Sequence, residues 1–353
     1  MMRDRRRWVV ACLVVLALAT TALAPRAAMQ ATVVLPLAEA ATEWVETLDA
    51  GQRARAMRPF DDASRTDWHF VPKPQRKGVQ LRDMTAAQER AALALLRASL
   101  SEAGYDKARD IMSLDGVLRI IEGSRAKNIR DPKRYFFTIY GTPAEGGTWA
   151  LSIEGHHLSF NIVVRDGVVV DSTPQFLGAN PAEVKTTFAG LPEAGHRVLG
   201  DEESLAFDLV RSLDASQRST AVIAAEAPRE IRAAGEPQPA TEPPAGIAHA
   251  ALEPAQRDVL RALVETYAGV MADDVAEERM RLIETAAGGW DAVRFAWLGP
   301  LEPGIGHAYR IEGPSFVVEF VNVQPDAEGN PANHIHCVWR DRTGDFDLPA
   351  RSP

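Results

Sequence analysis

Four of the eight histidines fall into two short groups, and clustered imidazoles are candidates for metal binding or acid–base chemistry. One group is the pair His156 and His157, and the other is His334 and His336, which one residue separates. Side chains on a strand alternate between its two faces. In a strand predicted at 333–340, His334 and His336 therefore lie on the same face.

The first histidine pair opens another predicted strand, at 156–164. The apolar face of this strand consists of Leu158, Phe160, Ile162 and Val164. Alternation places His157 on the opposite, polar face and His156 at the edge of the core side. The same pattern also fits a purely structural role for both residues at the beginning of a strand.

A carboxylate is predicted to join the second histidine group. The strand predicted at 315–322 has an inward face of Phe316, Val318 and Phe320. Glu319 lies on its outward face, and this strand is expected to form a hairpin with the next one. Two imidazoles and a carboxylate on one side form a set that binds zinc or non-haem iron and leaves positions open. We therefore predict a divalent transition metal (zinc, iron or copper) on Glu319, His334 and His336, with His157 as a further ligand.

Charged residues after the second histidine group are candidates for catalysis or substrate orientation. Arg340 shares the predicted histidine face, and Asp341 follows it, with Asp345 as a further candidate in the next loop. Cys337 is predicted to be a buried apolar side chain, because strand neighbours face opposite ways. The alternative to a metal site is that the two strand histidines are surface or hydrogen-bonded residues.

Composition and missing motifs exclude several function classes. The net charge is −9 and the pI is near 5.5, which gives no basic footprint for nucleic acid. The sequence has no Gly-x-Ser-x-Gly elbow, phosphate-binding glycine loop, Cys-x-x-Cys-His or His-Glu-x-x-His motif. Hydrolysis by a serine nucleophile is therefore disfavoured.

The first 28 residues have the order of regions of a signal peptide. Arginines precede an apolar run from Trp8 to about Leu18, and small residues follow. The run is shorter than the roughly 20 residues that span a bilayer, so cleavage is predicted and no membrane span after it. Export by the general secretory route is favoured over the twin-arginine route, which predicts a periplasmic or secreted protein. Cys12 lies in this segment, so Cys337 remains alone and no internal disulfide is expected.

Internal similarity predicts a duplication. Ile153-Glu154-Gly155 matches Ile311-Glu312-Gly313 at an offset of 158, and Ala87-Gln88 matches Ala255-Gln256 at an offset of 168. Each copy has helices followed by β-rich runs. The predicted fold is α+β, with two divergent copies of a helix pair plus an antiparallel meander, which can share one continuous core.

The predicted strands lie at 134–140, 148–153, 156–164 and 167–172 in the first copy, and at 292–298, 306–311, 315–322 and 333–340 in the second. Thr85 and Gln88 predict a capping box at the beginning of a helix that ends near 101. Pro254 suits the first turn of its counterpart.

The chain is divided into a signal peptide at 1–28, an extension with a first helix at 29–80, unit one at 81–176, a connector at 177–250 and unit two at 251–353. The connector is predicted to be helical at 177–220. Its part at 226–247, rich in Pro and Ala, is predicted to be a solvated linker or a surface loop.

Several of these motifs together resemble the family catalogued as domain of unknown function 3500, from about residue 80 onward. They are Gly155-His156-His157-Leu158-Ser159, Val318-Glu319-Phe320, Asn333-His334-Ile335-His336 and Trp339-Arg340-Asp341. The resemblance supports grouping these residues and implies no particular reaction.

Two functions remain open from the sequence. One is an exported metal-dependent enzyme, hydrolytic or oxidative, with its His/Glu site on a polar sheet face. The other is a non-catalytic periplasmic binding protein or a protein that interacts with the cell envelope. The partner would be a small molecule or an envelope component.

Overall fold

The computed structural model describes residues 31–144 and 146–350, so the predicted signal peptide lies outside the described part. The helices of this part are α1 Ala31–Thr47, α2 Ala50–Ala56, α3 Ala86–Ser99, α4 Glu102–Glu122, α5 Gly200–Ser212, α6 Ala215–Ala221, α7 Pro254–Ala268 and α8 Asp273–Thr285. None of them combines the length and the apolar character that crossing a membrane requires.

The strands form one large mixed sheet. They are β1 Met57–Arg58, β2 Val79–Gln80, β3 Phe136–Tyr140, β4 Thr148–Gly155, β5 Leu158–Arg165, β6 Val168–Asp171, β7 Gln175–Ala179, β8 Val222–Ala224, β9 Ile247–Ala248, β10 Arg294–Leu298, β11 His307–Glu312, β12 Phe316–Asn322 and β13 Ile335–Asp341. The order of the main path is β1-β3-β4-β5-β7-β13-β12-β11-β10-β8. The fold therefore mixes helices with a predominantly antiparallel sheet.

The two halves of the sheet have the same arrangement from the centre outward. The antiparallel pair β7 and β13 occupies the centre, and an antiparallel meander continues on either side. At the two ends, β1 is parallel to β3 and β8 is parallel to β10. Each half also has a short antiparallel addition to its outer meander strand, β2 on β3 and β9 on β10.

One face of the sheet packs against the helices. Alternate strand residues such as Trp149, Trp297 and Cys337 join helical side chains such as Leu96 and Leu263 in a large cluster of buried apolar residues. Both tryptophans are fully buried core residues. Burial also raises the pKa of the Cys337 thiol, which agrees with its prediction as an inert apolar side chain.

The second face is covered by two mostly irregular segments, at 59–78, which contains a short 3-10 helix at Ala63–Thr66, and at 226–246. Trp68 and Phe70 from the first segment and Ile231 from the second pack with Phe176 and Val338 of the sheet. The Pro- and Ala-rich segment is thus a surface segment packed on the sheet. The polar sheet face inferred from alternation exists, but these segments bury it instead of leaving it open to solvent.

The predicted strands agree closely with the observed ones. Each of the eight has a counterpart among β3 to β6 and β10 to β13, and the β12–β13 hairpin is confirmed. The capping box of Thr85 and Gln88 is present, and Pro254 occupies the first turn of α7. The predicted helical stretch at 177–220 is wrong in its first part, because β7 covers Gln175–Ala179 and residues 180–199 are irregular.

In each half of the chain, a pair of hydrogen-bonded glutamines joins two helices. Gln88 Nε2 donates to Gln52 Oε1 at 2.6 Å, and Gln52 Nε2 donates back to Gln88 Oε1 at 3.2 Å. Gln256 and Gln217 form the same reciprocal pair at 3.0 and 2.9 Å. In each pair, both glutamines also belong to a capping box. A single buried side chain therefore caps its own helix and fixes the neighbouring one.

We expect Gln88→Ala to lower the free energy of unfolding by about 2–3 kcal/mol, because it leaves buried polar partners unsatisfied. The lost contacts include the main-chain oxygen of Thr47, to which Gln88 Nε2 donates at 2.9 Å, and the N–H of Thr85. Urea unfolding followed by circular dichroism measures the change. Gln75→Ala, at an exposed position, is the matched control and should change stability by less than about 0.5 kcal/mol. Equal effects would contradict the role given to Gln88.

Candidate metal centre

His156 and His157 form the two-residue turn between β4 and β5, because Gly155 pairs directly with Leu158. The prediction that the strand begins at residue 156 is therefore wrong by two residues. His157 has φ of 64°, in the left-handed region where Gly and Asn are the usual turn residues. An imidazole at such a position is a strained choice, and strain of this kind is found at functional sites.

His334 and His336 reach the same face from the edge and the beginning of β13. His336 lies opposite Gly178 of β7 and Val321 of β12. The main-chain N–H of His334 donates to Asn322 Oδ1 at 3.0 Å, which ends the long loop that precedes β13. Alternation along the strand thus puts both rings on the second face of the sheet, as predicted.

The turn and the strand bring three imidazoles together. His157 Nε2 lies 2.9 Å from His334 Nε2 and 3.2 Å from His336 Nε2. The three candidate ligand atoms all lie within 4.8 Å of one another. Within residues 31–144 and 146–350, this is the one group of three or more His, Cys, Asp or Glu side chains with such a geometry. These three residues could hold a metal ion.

The environment keeps two of these rings neutral. Burial lowers the pKa of His157 and of His334 well below the ordinary histidine value, and the neighbouring imidazoles lower both further. His157 and His336 are 4% and 5% exposed, whereas His334 is partly exposed. A neutral imidazole offers one nitrogen lone pair, which is the form that binds a metal.

Partners on the far side of the rings orient two of the three Nε2 atoms. His336 Nδ1 lies 2.8 and 2.9 Å from the carboxylate oxygens of Glu230, which only accept hydrogen bonds. Nδ1 therefore carries the proton, and Nε2 of the neutral ring keeps its lone pair. His334 Nδ1 faces the amide of Asn180 at 3.3 Å, whose buried Oδ1 has no partner. Exchanging the amide O and N would give Oδ1 the Nδ1–H of His334 as a donor and would place the same tautomer on His334.

The third ring is held by close packing against β7. The main-chain N–H of His157 donates to the oxygen of Phe70, and its oxygen accepts from the N–H of Gly178. A Cβ atom at Gly178 would lie 3.0 Å from two ring carbons of His157 and 2.9 Å from the oxygen of Ile335. Only glycine lets the His157 ring lie directly over the strand.

His156 secures the turn from the helical side. Its Nδ1 lies 2.7 Å from a carboxylate oxygen of Asp115 in α4, and its ring stacks on His157 with centroids 3.8 Å apart. The Tyr135 hydroxyl donates to the main-chain oxygen of His156 at 2.9 Å. Arg130 Nη1 lies 3.3 and 3.2 Å from the two ring nitrogens, and these near-equal distances place it over the ring. His156 thus holds the turn that carries His157.

The comparisons with known proteins agree with the grouping of these motifs. A family model described as "Protein of unknown function (DUF3500)" matches residues 30–348. The chain belongs to this family. The match begins about 50 residues earlier than the resemblance in the sequence indicated, so it includes the segment at 59–78 that covers the site. No curated protein and no solved structure matches the chain.

In this DUF3500 protein, Glu319 shares the face of His336 but not its surroundings. Its partner across the hairpin is Val338, which lies two residues beyond His336 along β13. Its carboxylate accepts from Arg232 Nε at 2.7 Å and from the Arg232 main-chain N–H at 2.9 Å. Burial raises the pKa of Glu319, which Arg232 opposes. The structure therefore does not bring Glu319 to the three histidines.

Arg340 and Asp341 also lie away from the imidazoles of the DUF3500 site. Arg340 is four residues beyond His336, or about 13 Å along an extended strand. It is buried, donates from Nε to Asp345 Oδ2 at 2.6 Å and from Nη1 to the oxygen of Ala233 at 2.9 Å. The Asp341 N–H donates to the same Asp345 carboxylate at 2.8 Å. These contacts fasten the segment at 226–246 to the sheet.

The structure adds site residues that sequence reasoning missed. Glu230 lies in a Pro- and Ala-rich segment whose composition gives no sign of a histidine partner, and Asn180 lies in a stretch predicted to be helical. Asp115 did leave a signal in the sequence, because it is a carboxylate among the apolar positions of α4. In the structure it is only 3% exposed. Gly178 is recognisable only from the ring that packs on it.

We expect Gly178→Ala to lower the free energy of unfolding by about 1–3 kcal/mol, because the added methyl group must displace the His157 ring or β13. The NMR chemical shifts of the C2 protons of His157 and His336 should change, because these protons report a displacement of the rings directly. Gly146→Ala, which like Gly178 has no positive φ and has nothing within 4 Å of the added Cβ, controls for a general glycine effect. A Gly178→Ala protein with wild-type shifts and stability would refute the packing argument.

We expect the metal-free protein to lose stability as the pH falls below about 6.5. The pKa of His157 is lower in the folded state than in the unfolded state, so the unfolded chain binds the proton first and gains population. The loss should be about 1 kcal/mol per pH unit for each imidazole that stays neutral. Urea unfolding at pH 7.5, 6.5 and 5.5 measures it. The slope should be smaller in His157→Gln, and an unchanged slope in that variant would disprove the burial argument.

Proposed function

We propose that this DUF3500 protein binds a divalent transition metal through the imidazoles of His157, His334 and His336. The observation that carries the proposal is the convergence of three Nε2 atoms, two pairs of them 2.9 and 3.2 Å apart. With the proton of His336 on Nδ1, its Nε2 lone pair points at the Nε2 atom of His157. A cation at the centre of the three rings would use one lone pair of each.

The dimensions of the cluster suit such an ion. A tetrahedral zinc with Zn–N bonds of about 2.0–2.1 Å separates its nitrogen ligands by about 3.3 Å. The two separations that involve His157, 2.9 and 3.2 Å, differ from this by a few tenths of an ångström, and all three ligand atoms lie within 4.8 Å of one another. Imidazole ligands suit zinc, copper and iron alike, so the donor set is compatible with each of the three.

The proposed ligand set differs from the sequence-based one. It keeps His157, His334 and His336, and Glu319 is left out because Arg232 engages its carboxylate. A carboxylate still takes part, since Glu230 holds His336 from behind. Such a carboxylate–histidine pair orients the ring and raises the basicity of the ligand, as in many zinc sites.

Metal-dependent hydrolysis is the reaction that we propose. Three protein ligands leave a fourth position open, which is typical of catalytic zinc sites and not of structural ones. When bound, the metal would supply a water of lowered pKa or polarise a carbonyl oxygen. The chain's own residues hold the ligands, with Glu230, Asn180 and Gly178 orienting the rings, and partly exposed His334 marks the side of access. Oxidative chemistry requires iron or copper in the same place.

A non-catalytic binding role is the second candidate. The burial of His157 and His336 beneath the covering segments favours a metal with a structural or ligand-holding role. We further propose that the protein is exported to the periplasm or beyond by its signal sequence. The metal would then be loaded from that compartment, and the partner would be a small molecule or an envelope component.

We also infer that the two halves of the chain arose by duplication and share one core. The offsets of 158 and 168 support this inference, as do the equivalent strand orders and the two glutamine pairs Gln52–Gln88 and Gln217–Gln256. The histidine turn of the first half aligns with Pro314 and Ser315 of the second. The proposed metal site thus lies where the two halves differ.

The mature protein, residues 29–353, should bind one zinc ion per chain, measured by elemental analysis and by titration of metal-free protein. His334→Ala removes a partly exposed ligand and should weaken zinc binding at least roughly 100-fold, and Glu230→Gln roughly 10–100-fold. Glu319→Gln should leave zinc affinity unchanged.

His196→Ala, which removes a half-exposed histidine paired with Asp110, is the matched control for these variants. A folded wild-type protein that takes up no zinc, copper or iron would refute the proposed function. Zinc uptake without hydrolysis of any ester, amide or phosphoester in a substrate panel would favour the binding role.

A further inference from the structure

A cavity of about 290 Å³ opens at the end of the sheet where the histidine turn lies. The loop that follows α4 and the loop that precedes β13 form its walls. Its lining consists of Glu122, Arg125, Lys127, Asn128, Arg130 and Ala327. This volume is at the small end of ligand-binding pockets and suits a small molecule rather than a polymer.

The cavity is basic on a protein that is acidic as a whole. Three of its six lining residues are cations, although the chain carries a net charge of −9. Glu122 is committed to Arg130, whose Nη2 lies 2.7 Å from its carboxylate. Among the described residues, no carboxylate lies within 4.0 Å of the charged nitrogens of Arg125 or Lys127. The positive charges of Arg125 and Lys127 are therefore available to bind a ligand.

Arg130 connects the cavity to the proposed metal centre. Its Nη1 lies over the ring of His156, and that ring stacks on the ligand His157 at 3.8 Å. The basic cavity is thus a direct neighbour of the imidazole cluster.

We propose that this cavity holds the anionic group of a small ligand, a carboxylate, phosphate or sulfate, whose other end reaches the metal site. The inference rests on the proposed function, because the metal gives the second point of attachment. Arg125 and Lys127 select the anion by charge, and Asn128 adds a hydrogen-bond donor. Arg130 keeps its bond to Glu122 and fixes the cavity wall beside His156.

Isothermal titration of the zinc-loaded mature protein with sodium sulfate tests the proposal. Sulfate carries the required charge and neither precipitates zinc nor removes it from a protein site. We expect saturable binding that weakens at high ionic strength. The double variant Arg125→Gln/Lys127→Gln should bind sulfate roughly tenfold more weakly and zinc with unchanged affinity.

Arg55→Gln/Arg90→Gln is the matched control, since it removes two exposed arginines from helices outside the cavity lining. If both double variants weaken sulfate binding equally, the effect is one of net charge and the proposal is overturned. Zinc-loaded protein that binds no sulfate would also overturn it. Failure of zinc uptake is a separate outcome that refutes the metal site. Sulfate binding to that zinc-free protein, lost in the cavity variant alone, would still support the anion site.

Discussion

Strands β7 and β13 exchange main-chain hydrogen bonds along five residue pairs, from Ile335 with Ala179 to Trp339 with Gln175. This pairing joins the two halves of the sheet and sets the register across the seam. Because His336 lies opposite Gly178, the ring of His157 from the first half rests beside the histidines of the second. If the register of β13 shifted by one residue, the side chain of His336 would lie on the helical face of the sheet and the three histidines would no longer be close together.

The buried second face imposes a further constraint, since it carries carboxylates and cations that folding removes from water. The charges are paired within the molecule. Arg232 lies between Glu312 and Glu319 at 2.8 and 2.7 Å, and Arg340 bonds to Asp345. Both arginines also anchor the covering segment, Arg232 from within it and Arg340 from the sheet. Such buried pairs stabilise little in net terms, but removing one partner is strongly destabilising because it leaves an unpaired buried charge. The same segment carries Glu230, which contacts His336. When this segment folds onto the sheet, it therefore covers the sheet and also orients a candidate ligand.

The histidine turn shows how local strain and tertiary packing are balanced. His157 adopts a left-handed backbone that costs about 1 kcal/mol or more for a residue other than glycine. Phe70, Gly178 and Asp115 hold the turn by contacts to its main chain, its ring and the ring of His156. None of these partners is near in sequence. The strained conformation therefore depends on the completed fold, which is how a binding site is preorganised before its ligand arrives.

The sequence by itself determined the secondary structure of the meanders, the faces of their strands and the shared side of His334 and His336. These features follow from residue alternation and turn residues, which are local. Only the tertiary structure decided that His157 joins them, that Arg232 engages Glu319, and that Glu230 and Asn180 orient the rings. Those outcomes depend on the β7–β13 register and on how the segment at 226–246 folds back, and no local pattern encodes contacts between residues more than 80 positions apart.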